Sequence, residues 1–154
     1  MADIRIKVAK DKAKLVKALR AGDGATGPFQ TFYEVIAFAA ALGIRKGKFV
    51  PFEEKDASRE IDPIRQEQFA SKGYDRIIDL ISLIHERNPK SLTDSTEYEV
   101  RRIAMFEAYA NGGLEILEDV VRGSGNISNQ ILLLITSVKI QSPAEDNDLE
   151  LGFL

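Results

Sequence analysis

Residues 27–43 read GPFQTFYEVIAFAAALG, and this stretch decides the fold. From residue 29 to residue 42 nearly every position is apolar or small, so a helix here has hardly any polar face. Helices of this kind are buried, and their alanines let neighbouring helices approach closely. Pro28 suits a first helical position, and Gly43 suits a C-terminal stop. The sequence therefore predicts a central helix over residues 29–42.

Amphipathic helices are predicted on both sides of this segment. Asp11 is placed to cap a short helix over residues 12–20. Asp62-Pro63 has the composition of a cap and a first helical residue. The helix that it opens is expected to break near Gly73 and to resume through Ile84, ending at Asn88-Pro89.

Two more helices are predicted in the last third of the chain. Thr96 and Glu99 have the T-x-x-E spacing of a capping box, and a long apolar stripe follows them to Val121. Gly112-Gly113 lies inside that stripe and could bend the helix. The last helical stripe comprises Ile127, Ile131, Leu134, Ile135 and Val138.

The N-terminus has the period-2 pattern of a strand. Ile4, Ile6 and Val8 alternate with Arg5 and Lys7. A lone strand cannot satisfy its backbone, so it must pair with another segment or with its copy in a second chain. We therefore expect pairing in a homodimer.

These patterns predict a mainly α protein, a single helical domain of five or six helices with a short N-terminal β-strand. The domain is assigned to residues 1–141, and residues 142–154 (SPAEDNDLELGFL) form an acidic C-terminal tail. Its Leu and Phe residues either belong to a loosely held terminus or dock in a groove. The chain has no Cys, and its N-terminus lacks the apolar stretch of a signal peptide. The longest apolar run, Val35–Leu42, is far short of the roughly 20 residues of a membrane span. We expect a cytoplasmic protein without a membrane partner.

Charge is divided unevenly along the chain. Through Phe52 there are ten Lys/Arg against four Asp/Glu, whereas the remainder has 11 against 20. A basic front of this kind suits a polyanion or an acidic protein surface as partner. As DNA-binding residues we predict Arg5, Lys7, Lys14, Lys17, Arg20, Arg45, Lys46 and Lys48. Lysines on an exposed helix also occur simply for solubility, so a solvated basic face is the alternative.

No catalytic residues, metal ligands or cofactors are predicted. Gly22 and Gly27 have the spacing of a phosphate loop, but the Lys and the hydroxyl that should follow are missing. His85 is the only histidine and is placed to favour the dipole at a helix C-terminus. The carboxylate pair Asp75 and Asp79 is typical of a solvated face.

Three stretches carry a family resemblance: residues 27–43 quoted above, DPIRQEQF at 62–69 and FEAYANGGLEIL at 106–117. The chain resembles DNA phosphorothioation-associated (Dnd system-associated) protein 4. Those proteins are encoded beside bacterial systems that place sulfur in the DNA backbone and restrict unmodified DNA. The resemblance implies a restriction-modification context and carries no catalytic residues.

We therefore expect a non-enzymatic accessory protein of such a system, acting by DNA binding or as an adaptor to other system components. One alternative is a pure protein-interaction subunit without DNA contact. A further alternative is a metal-dependent nuclease, which would need Asp75, Asp79, Glu53 and Glu54 to cluster in space.

Overall fold

The computed structural model describes residues 3–22, 25–123 and 125–137. Within these residues there are six α-helices, three short 3-10 helices and one pair of two-residue strands, β1 (Ala21–Gly22) and β2 (Ala25–Thr26). The helices are α1 (Ala13–Leu19), α2 (Phe32–Lys46), α3 (Gln66–Ala70), α4 (Asp75–Glu86), α5 (Thr96–Val121) and α6 (127–137). The predicted mainly α fold is confirmed. The tail at 142–154 and Val138 lie outside the described residues.

The core is organised by the contact between α2 and α5, which approach each other at glycines. A Cβ added to Gly43 would lie 2.0 Å from the carbonyl oxygen of Tyr109, and one added to Gly113 would lie 1.7 Å from that of Ala39. Only glycine permits backbones to come this close. The expectation that Gly43 stops the helix is therefore wrong, because α2 continues to Lys46. α5 is continuous through Gly112-Gly113.

The start of α2 differs from the prediction by one turn. Thr31 is the N-cap, and its hydroxyl accepts a hydrogen bond from the backbone N–H of Glu34 at 3.2 Å. Phe29 stays outside the helix because its N–H donates to the carbonyl of Leu19, at 3.2 Å. The predicted role of Pro28 as a first helical residue is therefore wrong.

The N-terminal segment is extended, as predicted, but it pairs within its own chain. Ile6 and Ile64 exchange two backbone hydrogen bonds of 2.8 Å, and the N–H of Ser58 donates to the carbonyl of Val8. The backbone of this segment gives no reason for a dimer. Because Ile64 takes part in this pairing, no helix begins at Asp62, and α3 starts at Gln66 instead.

The second half of the fold follows the sequence more closely. Gly73 has φ of 78° and separates α3 from α4, as predicted. The cap of α5 is Ser95 and not Thr96, since the Ser95 hydroxyl accepts from the N–H of Tyr98. In the first half of the fold the predicted cap of α1 is also wrong. Asp11 lies in a short 3-10 turn before this helix and provides no side-chain cap. In α6, Ile131 is buried and Leu134 and Ile135 pack against the core.

Candidate interaction surfaces

The eight predicted DNA-binding residues occupy three parts of the structure. Arg5 and Lys7 lie on the N-terminal segment; Lys14, Lys17 and Arg20 lie on α1 and at its end; Arg45, Lys46 and Lys48 lie at the end of α2 and just beyond it. Lys14, Lys17 and Lys46 are exposed, as expected. Whether any of the eight contacts DNA remains a prediction.

Carboxylates from the acidic part of the chain lie against this basic front. Lys17 Nζ is 2.9 Å from Glu60 Oε2, and Lys48 Nζ is 3.2 Å from Glu115 Oε2. The hydrogen bond from Lys17 lowers the pKa of Glu60, so this acid stays ionised beside its partner. Part of the positive charge that the sequence places in front is therefore compensated in the fold.

Arg5 and Arg20 are brought together at one cleft of about 770 Å³. Arg65, which was not among the predicted residues, lines the same cleft. Three carboxylates also line it, namely Glu60, Asp62 and Glu67. Its charged side chains thus balance, and the cleft is not a basic surface.

A larger cleft, of about 870 Å³, lies between the N-terminal segment, α3, α4 and α5. Two arginines line it, Arg65 and Arg102. The lining carboxylates are Asp3, Glu67, Asp75, Asp79, Asp94 and Glu99. Acids thus outnumber bases, and we call this surface the acidic cleft.

One carboxylate of the acidic cleft, Asp79, has a shifted pKa. Burial raises the pKa of Asp79, while Arg102 lowers it and Asp75 raises it further. Arg102 is held in place because it donates to the carbonyl oxygens of Ser91 and Thr93. The cleft therefore carries an excess of negative charge that its own arginines do not cancel.

The carboxylates do not gather into a metal site. In the described part of the chain there is no group of three or more His, Cys, Asp or Glu residues that could hold a metal ion. Asp75 and Asp79 line the acidic cleft, whereas Glu53 and Glu54 are exposed at a separate 3-10 turn and do not line it. The cluster that a metal-dependent nuclease would need from these four residues is thus not formed.

A polar stripe on α5, missed from the sequence, anchors the segments that pass over this helix. Glu107, Asn111 and Glu115 follow at i, i+4 and i+8, so they share one face. Glu107 accepts a 2.6 Å hydrogen bond from the N–H of Lys7, and Asn111 donates to the carbonyl of Val50 at 3.0 Å. The signal that could have revealed the stripe is its helical spacing within an otherwise apolar stretch.

An aromatic cluster surrounds the single histidine. His85 lies in the last turn of α4, as predicted, and its Nδ1 is 2.8 Å from the hydroxyl of Tyr109. The ring of Phe49 stacks on the imidazole with 4.8 Å between centroids. Phe49 remains 41% exposed, although it also contacts Tyr109 edge to face. This cluster presents a fixed aromatic ring at the surface.

Comparison with known proteins places the chain in a family. A family model described as DNA sulphur modification system-associated protein 4 matches residues 5–152. Neither the curated proteins nor the solved structures include a match. Among the described residues, none of the helices has the length and apolar character of a membrane span. The match covers nearly the whole chain, and the protein therefore belongs to the DNA sulphur modification system-associated protein 4 family.

Proposed function

We propose that the protein is a non-enzymatic accessory subunit of a DNA sulphur modification system, and that it acts in the cytoplasm as an adaptor between protein components. Family membership supports the association with such a system. The choice of an adaptor over a DNA-binding protein rests on charge.

The single observation that carries this choice is the compensation of the basic front. Lys10, Lys17 and Lys48 each lie within ion-pair distance of an acid from the second part of the chain. The clearest of these contacts join Lys17 to Glu60 and Lys48 to Glu115. Phosphate binding depends on Lys and Arg side chains that can replace counterions, and cations already held by carboxylates do this poorly.

The acidic cleft also favours an adaptor over a DNA-binding protein. A surface with excess carboxylates repels the DNA backbone and attracts a protein that presents Lys or Arg. We therefore place the contact with another component of the system at this cleft. Two exposed acids of its lining, Glu67 and Asp94, are suited to testing it because neither is in a described ion pair.

The experiment compares two sets of charge reversals in a pull-down of the other system components. Reversal of Lys14, Lys17 and Lys46 to Glu should leave capture unchanged, whereas Glu67→Lys with Asp94→Lys should abolish it. Circular dichroism checks that both variants fold.

Binding to duplex DNA is measured on the same proteins. Direct contact to about five phosphates would give a slope of log K against log salt of roughly −4 to −5. Such a slope, reduced by the lysine reversals, would contradict the adaptor proposal and restore the DNA-binding one.

A further inference from the structure

The polar stripe on α5 contains an Asn-Gly pair, Asn111-Gly112. The other four asparagines of the chain precede residues that have side chains, and they are Asn88, Asn126, Asn129 and Asn147. An asparagine before glycine loses its side-chain amide most readily, because no Cβ hinders attack by the backbone nitrogen of the glycine. Asn111 is therefore the most labile asparagine when this chain is unfolded.

The loss of the amide needs water and no enzyme. The backbone nitrogen of Gly112 gives up its proton and bonds to the side-chain carbonyl carbon of Asn111, while the bond from that carbon to Nδ2 breaks. Ammonia leaves with the proton, and a succinimide ring remains. Water then opens the ring at one of its two C–N bonds, which gives either aspartate or isoaspartate. No atom is oxidised or reduced.

The native fold holds both reacting groups. Asn111 and Gly112 lie in the middle of α5. The N–H of a residue inside an α-helix donates to the carbonyl four residues before it, so the attacking nitrogen is engaged. Asn111 is only 5% exposed, and its Nδ2 donates to the carbonyl of Val50 at 3.0 Å. The amide is therefore protected as long as α5 stays packed.

The fold also requires the glycine of this pair. A Cβ added to Gly112 would lie 1.9 Å from the carbonyl oxygen of Lys48. Glycine is therefore needed where residues 48–50 pass over α5. The close contact that the fold depends on thus requires the residue that makes Asn111 labile in an unfolded chain.

A carboxylate at position 111 does not suit the native contacts. One of its oxygens would face the Val50 carbonyl, to which the amide of Asn111 now donates. The other would replace Oδ1, which accepts no hydrogen bond from the described residues. Glu115, one turn further along α5, already pairs with the ammonium groups of Lys12 and Lys48. Burial of a charge without a donor is strongly unfavourable.

We propose that Asn111 is a site of spontaneous deamidation that reacts only when the chain unfolds, and that its conversion prevents the chain from refolding. Aspartate acts through its buried charge. Isoaspartate also lengthens the main chain of α5 beside Gly113, where this helix meets α2. Unfolding of long duration therefore becomes irreversible by a covalent step. This inference is independent of the adaptor function.

The first test compares the rate of deamidation in the folded chain with the rate in urea, at the same mildly alkaline pH. Trypsin releases residues 103–122, in which Asn111 is the one side-chain amide, so a mass gain of about one dalton there reports its conversion. The folded chain should react at least about a hundredfold more slowly, because the reaction waits for opening. Equal rates overturn the proposal.

Two controls in urea test the role of Gly112. Gly112→Ala should slow the reaction at Asn111 several-fold, and its effect on the fold does not matter in the unfolded chain. The tryptic peptide of residues 123–139, which contains Asn126 and Asn129, should keep its mass over the same time. An undiminished rate in Gly112→Ala, or equal loss in the second peptide, overturns the assignment to the Asn-Gly pair.

The consequence for folding is measured after dilution from urea. The fraction of chain that regains its native circular dichroism should fall in step with the fraction converted at Asn111. Asn111→Asp should refold poorly or unfold at a lower urea concentration than the parent. Asn129→Asp adds the same charge at an exposed position of α6 and should refold like the parent. Normal refolding of the converted chain, or parent-like stability of Asn111→Asp, overturns the proposal.

Discussion

The carboxylate of Glu107 on α5 accepts a hydrogen bond from the backbone N–H of Lys7, with 2.6 Å between oxygen and nitrogen. This contact fastens the N-terminal segment to the middle of the longest described helix. In this contact the buried carboxylate meets a backbone N–H and not a cation. Its protonation therefore affects the free energy of unfolding.

The first prediction concerns pH. Burial raises the pKa of Glu107 to about 7, against the opposing effects of its hydrogen bond from Lys7 and the Lys7 charge, and Glu54 raises it further. The folded state therefore holds this proton at pH values where the unfolded chain has lost it. The stability linked to the proton is fully present below pH 4.5 and is lost as pH rises through about 7.

Glu107→Gln removes this dependence. Relative to the unmodified chain, its free energy of unfolding should rise by about 2 to 3 kcal/mol between pH 5 and pH 8, measured by urea denaturation. A difference that stays constant over this range would show that Glu107 titrates normally.

The second prediction concerns the glycine contact between α2 and α5. Gly113→Ala places a Cβ 1.7 Å from the Ala39 carbonyl oxygen, so the helices must separate. We expect a loss of about 3 kcal/mol in the free energy of unfolding, despite the better helix propensity of alanine. Gly125→Ala is the control, since a Cβ there meets no heavy atom within 4 Å. Equal stability of the two variants would argue against the close approach.

The third prediction concerns a buried lysine. Lys12 is 2% exposed, and its Nζ lies 3.0 Å from Asp11 and 3.8 Å from Glu115. Lys12→Ala removes the cation from this site and should cost about 2 kcal/mol in denaturant unfolding. Lys14→Ala changes an exposed lysine on the same turn and should stay within about 0.5 kcal/mol. If both variants lose the same free energy of unfolding, Lys12 is not held in the fold by these contacts.

The fourth prediction tests the cap of α5. Ser95→Ala removes the hydroxyl that accepts from the N–H of Tyr98 and should lower stability by about 1 kcal/mol. Thr96→Ala should have little effect, because Thr96 is already inside the helix. The reverse order in thermal unfolding would favour the capping box at Thr96 and Glu99.

Capping motifs show the limit of local sequence signals. Thr31 and Glu34 have the same T-x-x-E spacing as Thr96 and Glu99 but were not among the predicted caps, and at α2 this motif does cap the helix. Glu99 is instead buried, where it accepts from the side chain of Gln66 at 3.0 Å. A long-range contact has overridden the local signal, and a local pattern cannot announce such a contact.

Helices and their buried faces could be predicted because periodicity is a local property. In the stripe predicted to end at Ile84, Ile78 and Ile81 are buried as expected, whereas Ile84 itself is 48% exposed. The role of Gly43 was predicted wrongly because glycine commonly ends a helix. Here glycine is needed because the carbonyl of Tyr109, more than sixty residues later, lies where a Cβ would be. The basic front was visible as composition, but its compensation depends on acids such as Glu60 and Glu115 that only the fold brings near.

The close contact of α2 with α5 at Gly43 and Gly113 also has a consequence during synthesis of the chain. A ribosome releases α2 with its apolar surface well before α5, the helix that covers it, has been synthesised. The nascent chain must therefore avoid aggregation through the apolar surface of α2 until the last third of the chain has emerged. Production of this protein in a heterologous host should for this reason depend more on chaperone supply and translation speed than its modest size suggests.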